Sequence, residues 1–259
     1  MKKLFQQNIV FIVLSLILLG VLGLALLYIP QGELHLLLCD RHTPARDIFY
    51  MYYTQVAEWF PYVVCVILLL FSRIGDGVFA SAAMILSALT TQLFKNIINA
   101  PRPIKWFELN MPDVQLPLTP GVEVHSWFSF PSGHTTSFFA LAFVLCIIFN
   151  RTSRAHRASM VHNYLFQAAL FFLAALGGYS RIYLSQHFAR DVYAGILVGV
   201  IVTAVCYAVF SSKEHKKWYN YRVFATKKTV KSKKMRGKVH FFAKKFGHIK
   251  KKQYLCTRF

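Results

Sequence analysis

Residues 9 to 29 read IVFIVLSLILLGVLGLALLYI, 21 residues without a charged side chain. As an α-helix such a run crosses a hydrocarbon core of about 30 Å. Lipid offers no water to the backbone, so an apolar run of this length must be helical. No small-residue cleavage pattern closes it, and it reads as a retained signal-anchor. Five more apolar runs follow. Trp59–Phe71 is short and extends upstream past Glu58 through the aromatic FYMYYTQVA; the others are Gly77–Phe94, Thr135–Phe149, Tyr164–Tyr179 and Val192–Phe210. Only 15% of the chain is charged, against about 25% in a soluble domain. The pattern predicts an all-α polytopic membrane protein with six transmembrane helices.

The charge is one-sided. Thirty Lys and Arg face ten Asp and Glu, a net +20. With the N-terminus in the cytoplasm, 23 of the 30 basic residues fall on the cytoplasmic side, and eight of the ten acids fall on the other. Basic residues bias loops toward the cytoplasm, so both termini are expected inside. The apolar runs end at Phe210, which divides the chain into a membrane domain, 1–210, and a basic cytoplasmic tail, 211–259. Within KKMRGKVHFFAKKFGHIKKK, the residues Val239, Phe242, Phe246 and Ile249 share one helical face ringed by Lys. Two readings fit: an interfacial helix on anionic inner-leaflet lipid, or a disordered polycation that only enforces topology. No nucleic-acid recognition motif accompanies the charge, which argues against that partner. Cys65, Cys146 and Cys206 lie inside apolar runs, where a buried small hydrophobe is the simple reading.

Three polar clusters interrupt the apolar pattern. The first is KNIINAPRP, with Lys95 and Arg102. The second is PSGH, with Ser132, Gly133 and His134. The third is SRIYLSQHFARD, with Ser180, Arg181, His187 and Asp191. Each has an ordinary explanation alone: a snorkelling anchor, a helix cap, a solvated loop. The expected topology nevertheless returns all three to one membrane face.

Their chemistry is that of phosphate. Lys95, Arg102 and Arg181 supply fixed positive charge, and the planar fork of Arg suits two phosphate oxygens. Ser132 and Gly133 precede a helix N-terminus, whose unpaired N–H groups attract anions. His187 and Asp191 are four residues apart and would share a face on a helix. Asp191 could then hold one ring nitrogen of His187 and leave the other to attack phosphorus. His134 could protonate the leaving oxygen and later activate water. This scheme requires no cofactor, and no HExxH pair or outer carboxylate cluster suggests a metal.

Together the clusters follow the pattern K-x6-RP, PSGH and SR-x5-H-x3-D, which resembles the type 2 phosphatidic acid phosphatases (PAP2), also called lipid phosphate phosphatases. Every motif position matches over residues 60 to 210. The resemblance implies six membrane helices of the PAP2 type. It also implies His187 as nucleophile, Asp191 as its partner and His134 as acid and base. Lys95, Arg102, Ser132, Gly133 and Arg181 would bind phosphate. Soluble vanadium haloperoxidases are similar in these motifs, but six apolar runs argue against them. The implied partner is a lipid phosphate. Family members act on undecaprenyl diphosphate, lipid A phosphates, phosphatidylglycerol phosphate and phosphatidic acid, and a site facing away from the cytoplasm favours the first two. A lipid-to-lipid phosphotransferase would use the same site, and a non-catalytic protein acting through its tail is the remote alternative. Trp106, Phe107, Trp127, Phe128 and Phe130 read as an interfacial aromatic belt or as a substrate wall, and His125 as a solvated loop residue.

Overall fold

The structure is a computed structural model that describes residues 2–39, 42–155 and 160–222. The tail's expected amphipathic face lies outside the described residues. All regular structure among the described residues is helical. A short α1 (Lys2–Gln7) leads into α2 (Ile9–Tyr28), followed by α3 (Gln31–Cys39), α4 (Pro44–Gln55), α5 (Trp59–Ser72) and α6 (Ile74–Ile98). Then come α7 (Pro103–Asn110), α8 (Gly133–Ala155), α9 (Met160–Tyr183) and α10 (Ala189–Ser211).

Among the described residues, five helical stretches are long and apolar enough to cross a membrane, and a sixth appears if α4 and α5 count as one span. Those two are bent by 46°, so the expected upstream extension of the second run is present but broken. Pro61 gives the reason. In a continuous helix its ring would meet the carbonyl of Ala57 and its missing N–H would leave that carbonyl unbonded. The helix therefore restarts at Trp59, with Glu58 in extended conformation (ψ 168°) and Pro61 in the first turn. The first run matches α2, and the four runs from Gly77 onward continue into their polar flanks as α6, α8, α9 and α10. Ser180 and Arg181, read from the sequence as loop residues, belong to the last turn of α9.

The centre of the bundle is α8, packed on α6, α9 and α10. Its contact with α10 is close because Gly195 and Gly199 carry no side chain. A Cβ on Gly199 would lie 2.7 Å from the Thr136 carbonyl, and one on Gly195 2.8 Å from that of Ser132. Helices in lipid gain little from apolar burial against each other, so such small-residue contacts supply much of the packing. An aromatic cluster fills one end, with Phe11 stacked on Phe143 at 5.2 Å and edge-on to Phe171. By contrast, α2 leaves Leu16, Ile17, Val21, Leu24 and Leu27 exposed, a surface suited to lipid.

At the end of the bundle where α5 meets α6, charged groups form a latch. Asp76 accepts from Nε and Nη2 of Arg73, both at 2.9 Å, and from Nη1 of Arg151 at 2.5 Å. Arg151 also reaches the Tyr219 hydroxyl at 2.9 Å and Glu214 at 3.1 Å. Both guanidiniums lie over the ring of Tyr219, 5.4 and 5.5 Å from its centroid, and that ring covers Gly75. Residues up to Tyr221 belong to one compact unit with the helices, so the first residues after α10 are part of the packed bundle.

Candidate active site

Four helix termini converge at the opposite end. Lys95 lies in the last turn of α6, which ends on Asn99 at φ 41°. Asn tolerates this left-handed cap better than most residues. Pro101 and Pro103 then hold the chain extended, and Arg102 becomes the N-cap of α7 at ψ 165°. Its guanidinium is held from two sides: Nε donates to the Trp127 carbonyl at 3.0 Å and Nη1 to Gln186 Oε1 at 2.9 Å. Arg181 is clamped differently. It is 8% exposed, and its Nη1 donates to Thr54 Oγ1 at 2.7 Å. Its buried Nε has no hydrogen-bond partner among the described residues, which leaves a donor available for an anion.

The PSGH turn opens α8. Ser132 is fully buried; its Oγ accepts from the Thr135 hydroxyl at 2.9 Å and from the Thr135 N–H at 3.4 Å. It therefore caps the helix. Its own N–H donates to the Asp191 carbonyl at 2.9 Å, tying the starts of α8 and α10 together. Gly133 begins the helix, where the first backbone N–H groups lack intrahelical acceptors.

His187 lies before α10 rather than on it. Ser185 takes φ 51°, and the N–H groups of Gln186 and His187 both return to the Arg181 carbonyl. This left-handed turn ends α9 and projects His187. Phe188 is then the N-cap of α10, with Asp191 in its first turn. The expected shared helical face is thus replaced by a cap, because the Asp191 Oδ2 accepts from the Phe188 N–H at 2.9 Å. His187 Nδ1 stands 3.6 Å from that same oxygen, too far for a hydrogen bond.

Ser129 fills the gap. Its hydroxyl donates to Asp191 Oδ2 at 2.5 Å and its Oγ lies 3.4 Å from His187 Nδ1. With the hydroxyl proton committed to the carboxylate, Nδ1 must be the protonated nitrogen, and Nε2 keeps a lone pair. Burial, with the charges of Arg102, Arg181 and Lys95, pushes the His187 pKa well below that of a free imidazole. The ring is neutral at neutral pH.

These groups line a cavity of about 360 Å³ that brings together Lys95, Arg102, His134, Arg181 and His187. Gln186, Thr54, Glu58 and His125 share its wall. Gly133 lies in an adjoining cavity of about 200 Å³, which also touches Lys95 and His134. Ser132 and Asp191 stand behind the wall. Among the described residues no three His, Cys, Asp or Glu side chains gather as metal ligands.

Residues 76–214 match the model of the PAP2 superfamily. The chain belongs to this family. Among relatives of this PAP2 protein, dolichyldiphosphatase 1 of Dictyostelium discoideum is 30% identical over 142 residues, which are 55% of this chain and 56% of that one. Lipid A 4'-phosphatase of Porphyromonas gingivalis is 37% identical over 83 residues, 32% of this chain and 30% of its own length. The matched stretches thus span about half or less of either relative. The crystal structure of Aquifex aeolicus LpxE superposes with TM-score 0.53 at 28% identity, covering 68% of this chain and 93% of that one. A Bacillus subtilis PAP2-type phosphatidylglycerolphosphate phosphatase shares the fold at TM-score 0.51 and 21% identity, over 82% and 98% of the two chains.

Thr54, Ser129 and Gln186 were not singled out by the sequence. Gln186 adjoins the motif histidine His187, and Ser129 stands two residues before the PSGH motif. Thr54 has no such signal, for it reaches Arg181 across 127 residues.

Proposed function

We propose that the chain is a membrane lipid phosphatase acting through a phosphohistidine on a lipid of the outer leaflet, with an undecaprenyl diphosphate or a lipid A phosphate as substrate. The observation that carries this reading is the His187 ring. Nδ1 is turned to Ser129 and Asp191, and Nε2 keeps its lone pair in a cavity with Lys95, Arg102 and Arg181. The bent pair α4–α5 makes the sixth crossing. Alone, α5 has 14 residues, a length of about 21 Å, well short of a bilayer core. Both termini face the cytoplasm, the active site faces away from it, and the basic tail meets anionic lipid.

The phosphoryl group sits among the three cations and the N–H groups at Gly133, with Ser132 holding that turn. Positive charge is then in place as negative charge spreads in the transition state. Nε2 of His187 attacks phosphorus, and the bond from phosphorus to the leaving oxygen breaks. His134 gives that oxygen a proton. It then takes a proton from water, whose oxygen attacks phosphorus and breaks the P–N bond. Inorganic phosphate leaves, His187 is neutral again, and His134 is again the imidazolium in which it entered the cycle. Asp191, acting through Ser129, favours the cationic phosphohistidine.

The test is a panel of undecaprenyl diphosphate, lipid A, phosphatidylglycerol phosphate and phosphatidic acid, each labelled at phosphorus and given to the purified protein with and without an acceptor lipid. Free labelled phosphate is expected, and none from His187→Ala. Label on the acceptor lipid would replace hydrolysis by transfer, and full activity of His187→Ala would end the phosphohistidine reading.

A further inference from the structure

His35 lies on α3, outside residues 76–214 that match the family model. It is 1% exposed, yet it carries two polar nitrogens into an apolar setting. Its ring meets Phe188 edge-on at 5.1 Å and tilts against Phe107 at 5.8 Å. Packing alone would favour a phenyl or isobutyl group here, since burying imidazole nitrogens has a desolvation cost. Nδ1 finds no hydrogen-bond partner among the described residues. Nε2 does, at 3.3 Å from Ser185 Oγ.

The donor can be assigned. Ser185 Oγ gives its proton to the Pro117 carbonyl at 2.9 Å, so toward His35 it can only accept, and His35 donates through Nε2–H. Burial pushes the His35 pKa down to about 4, against an opposing pull from Asp191. The ring therefore stays neutral at neutral pH and keeps this single-donor form.

Ser185 is the left-handed residue of the turn that projects His187, and Phe188 is the N-cap of the helix that follows. His35 thus holds the residues on both sides of the Gln186–His187 pair, one by a hydrogen bond and one by its ring. A non-glycine residue at positive φ holds that conformation only where its surroundings enforce it. A shift of the nucleophile by about 1 Å can cost about a hundredfold in rate.

We infer that His35 is a positioning residue of the reaction: through Ser185 and Phe188 it fixes the turn that aims His187 at phosphorus. The inference rests on His187 being the nucleophile. It makes the segment before the family's matched region a working part of the active site.

The test measures kcat, KM and thermal stability for His35→Leu, His35→Gln, Ser185→Ala and the double variant His35→Leu/Ser185→Ala. The amide nitrogen of Gln can take the place of Nε2, whereas Leu fills space only. Losing one hydrogen bond should lower kcat about tenfold in His35→Leu and Ser185→Ala, with KM unchanged. The double variant should be no slower than either single one, and His35→Gln should recover most of the rate. Three results overturn the proposal: His35→Gln as slow as His35→Leu, losses that multiply in the double variant, or kcat unchanged throughout. If His35→Leu does not fold, Ser185→Ala and His35→Gln still decide: Ser185→Ala at the full rate, or His35→Gln folded but slow, refutes it. His187→Ala is run alongside. If it stays active, the nucleophile assignment has failed; if it is dead while the His35 and Ser185 variants keep the full rate, only this inference has failed.

Discussion

Removing one hydroxyl tests the relay behind the nucleophile. In Ser129→Ala the group between Asp191 and His187 disappears, and the 3.6 Å gap between the two remains. The lost bond ends on a carboxylate at 2.5 Å, and hydrogen bonds to charged groups contribute about 1.5–3 kcal/mol. At about 1.4 kcal/mol per factor of ten, kcat should fall roughly 10- to 150-fold. Ser129 is fully buried and does not line the cavity, so KM should stay within about twofold. The assay is phosphate release in detergent micelles at saturating lipid, with thermal melting as a check on the fold. A correctly folded Ser129→Ala protein with the parent kcat would refute the relay. A raised KM at unchanged kcat would place Ser129 in binding instead.

Further outcomes follow from the same geometry. Thr54→Val removes the acceptor that holds Arg181 Nη1, and KM for the lipid phosphate should rise about five- to tenfold with a smaller change in kcat. The depressed His187 pKa places the acid limb of kcat/KM below pH 6.5, because protonation removes the Nε2 lone pair; Lys95→Met removes one of the charges that depress it and should move that limb upward in the residual activity. The same shift has a stability counterpart. A histidine held below its unfolded value contributes stability above pH 6.5 that is lost as pH falls below 6.5, since only the unfolded chain gains the proton. Gly75→Val forces a side chain into the Tyr219 ring and should lower the melting point, at about 1–3 kcal/mol for such overpacking, with kcat little changed.

The sequence made the cradle legible for a physical reason. Charges such as Lys95, Arg102 and Arg181 are costly within apolar runs, so they stand out against them, and the spacing of the clusters named the family. The all-helical, membrane-spanning character was legible for the same reason, with five to six spans among the described residues against the six expected. What stayed hidden were contacts that no periodicity encodes. Ser129 meets Asp191 across 62 residues, and a serine in a loop looks like any other. The position of His187 relative to α10 depended on whether Phe188 or an earlier residue capped the helix, and spacing alone does not distinguish them. Pro61 did carry the break between α4 and α5, but an apolar run masked it. His125, read as a solvated loop residue, is indeed exposed in a loop, and it also lines the cavity, where Gln186 Nε2 donates to the Glu123 carbonyl and ties that loop in. Of the aromatic belt, Phe107 is buried against His35, while Trp127 and Phe128 are exposed.

The latch of Arg73, Asp76, Arg151, Glu214 and Tyr219 separates two meanings of a positive charge. Arg73 and Arg151 count among the basic residues on which the expected orientation rests, and such a bias acts on a chain still threading into the bilayer. Once Asp76 and Glu214 close around them, the four charges sum to zero. A charge count of the sequence therefore describes the inserting chain, whereas the mature surface at that end has lost two of its apparent cations to internal bookkeeping. Any attraction of that surface for anionic lipid would have to come from basic residues outside the latch, such as Lys2, Lys3 and Lys213.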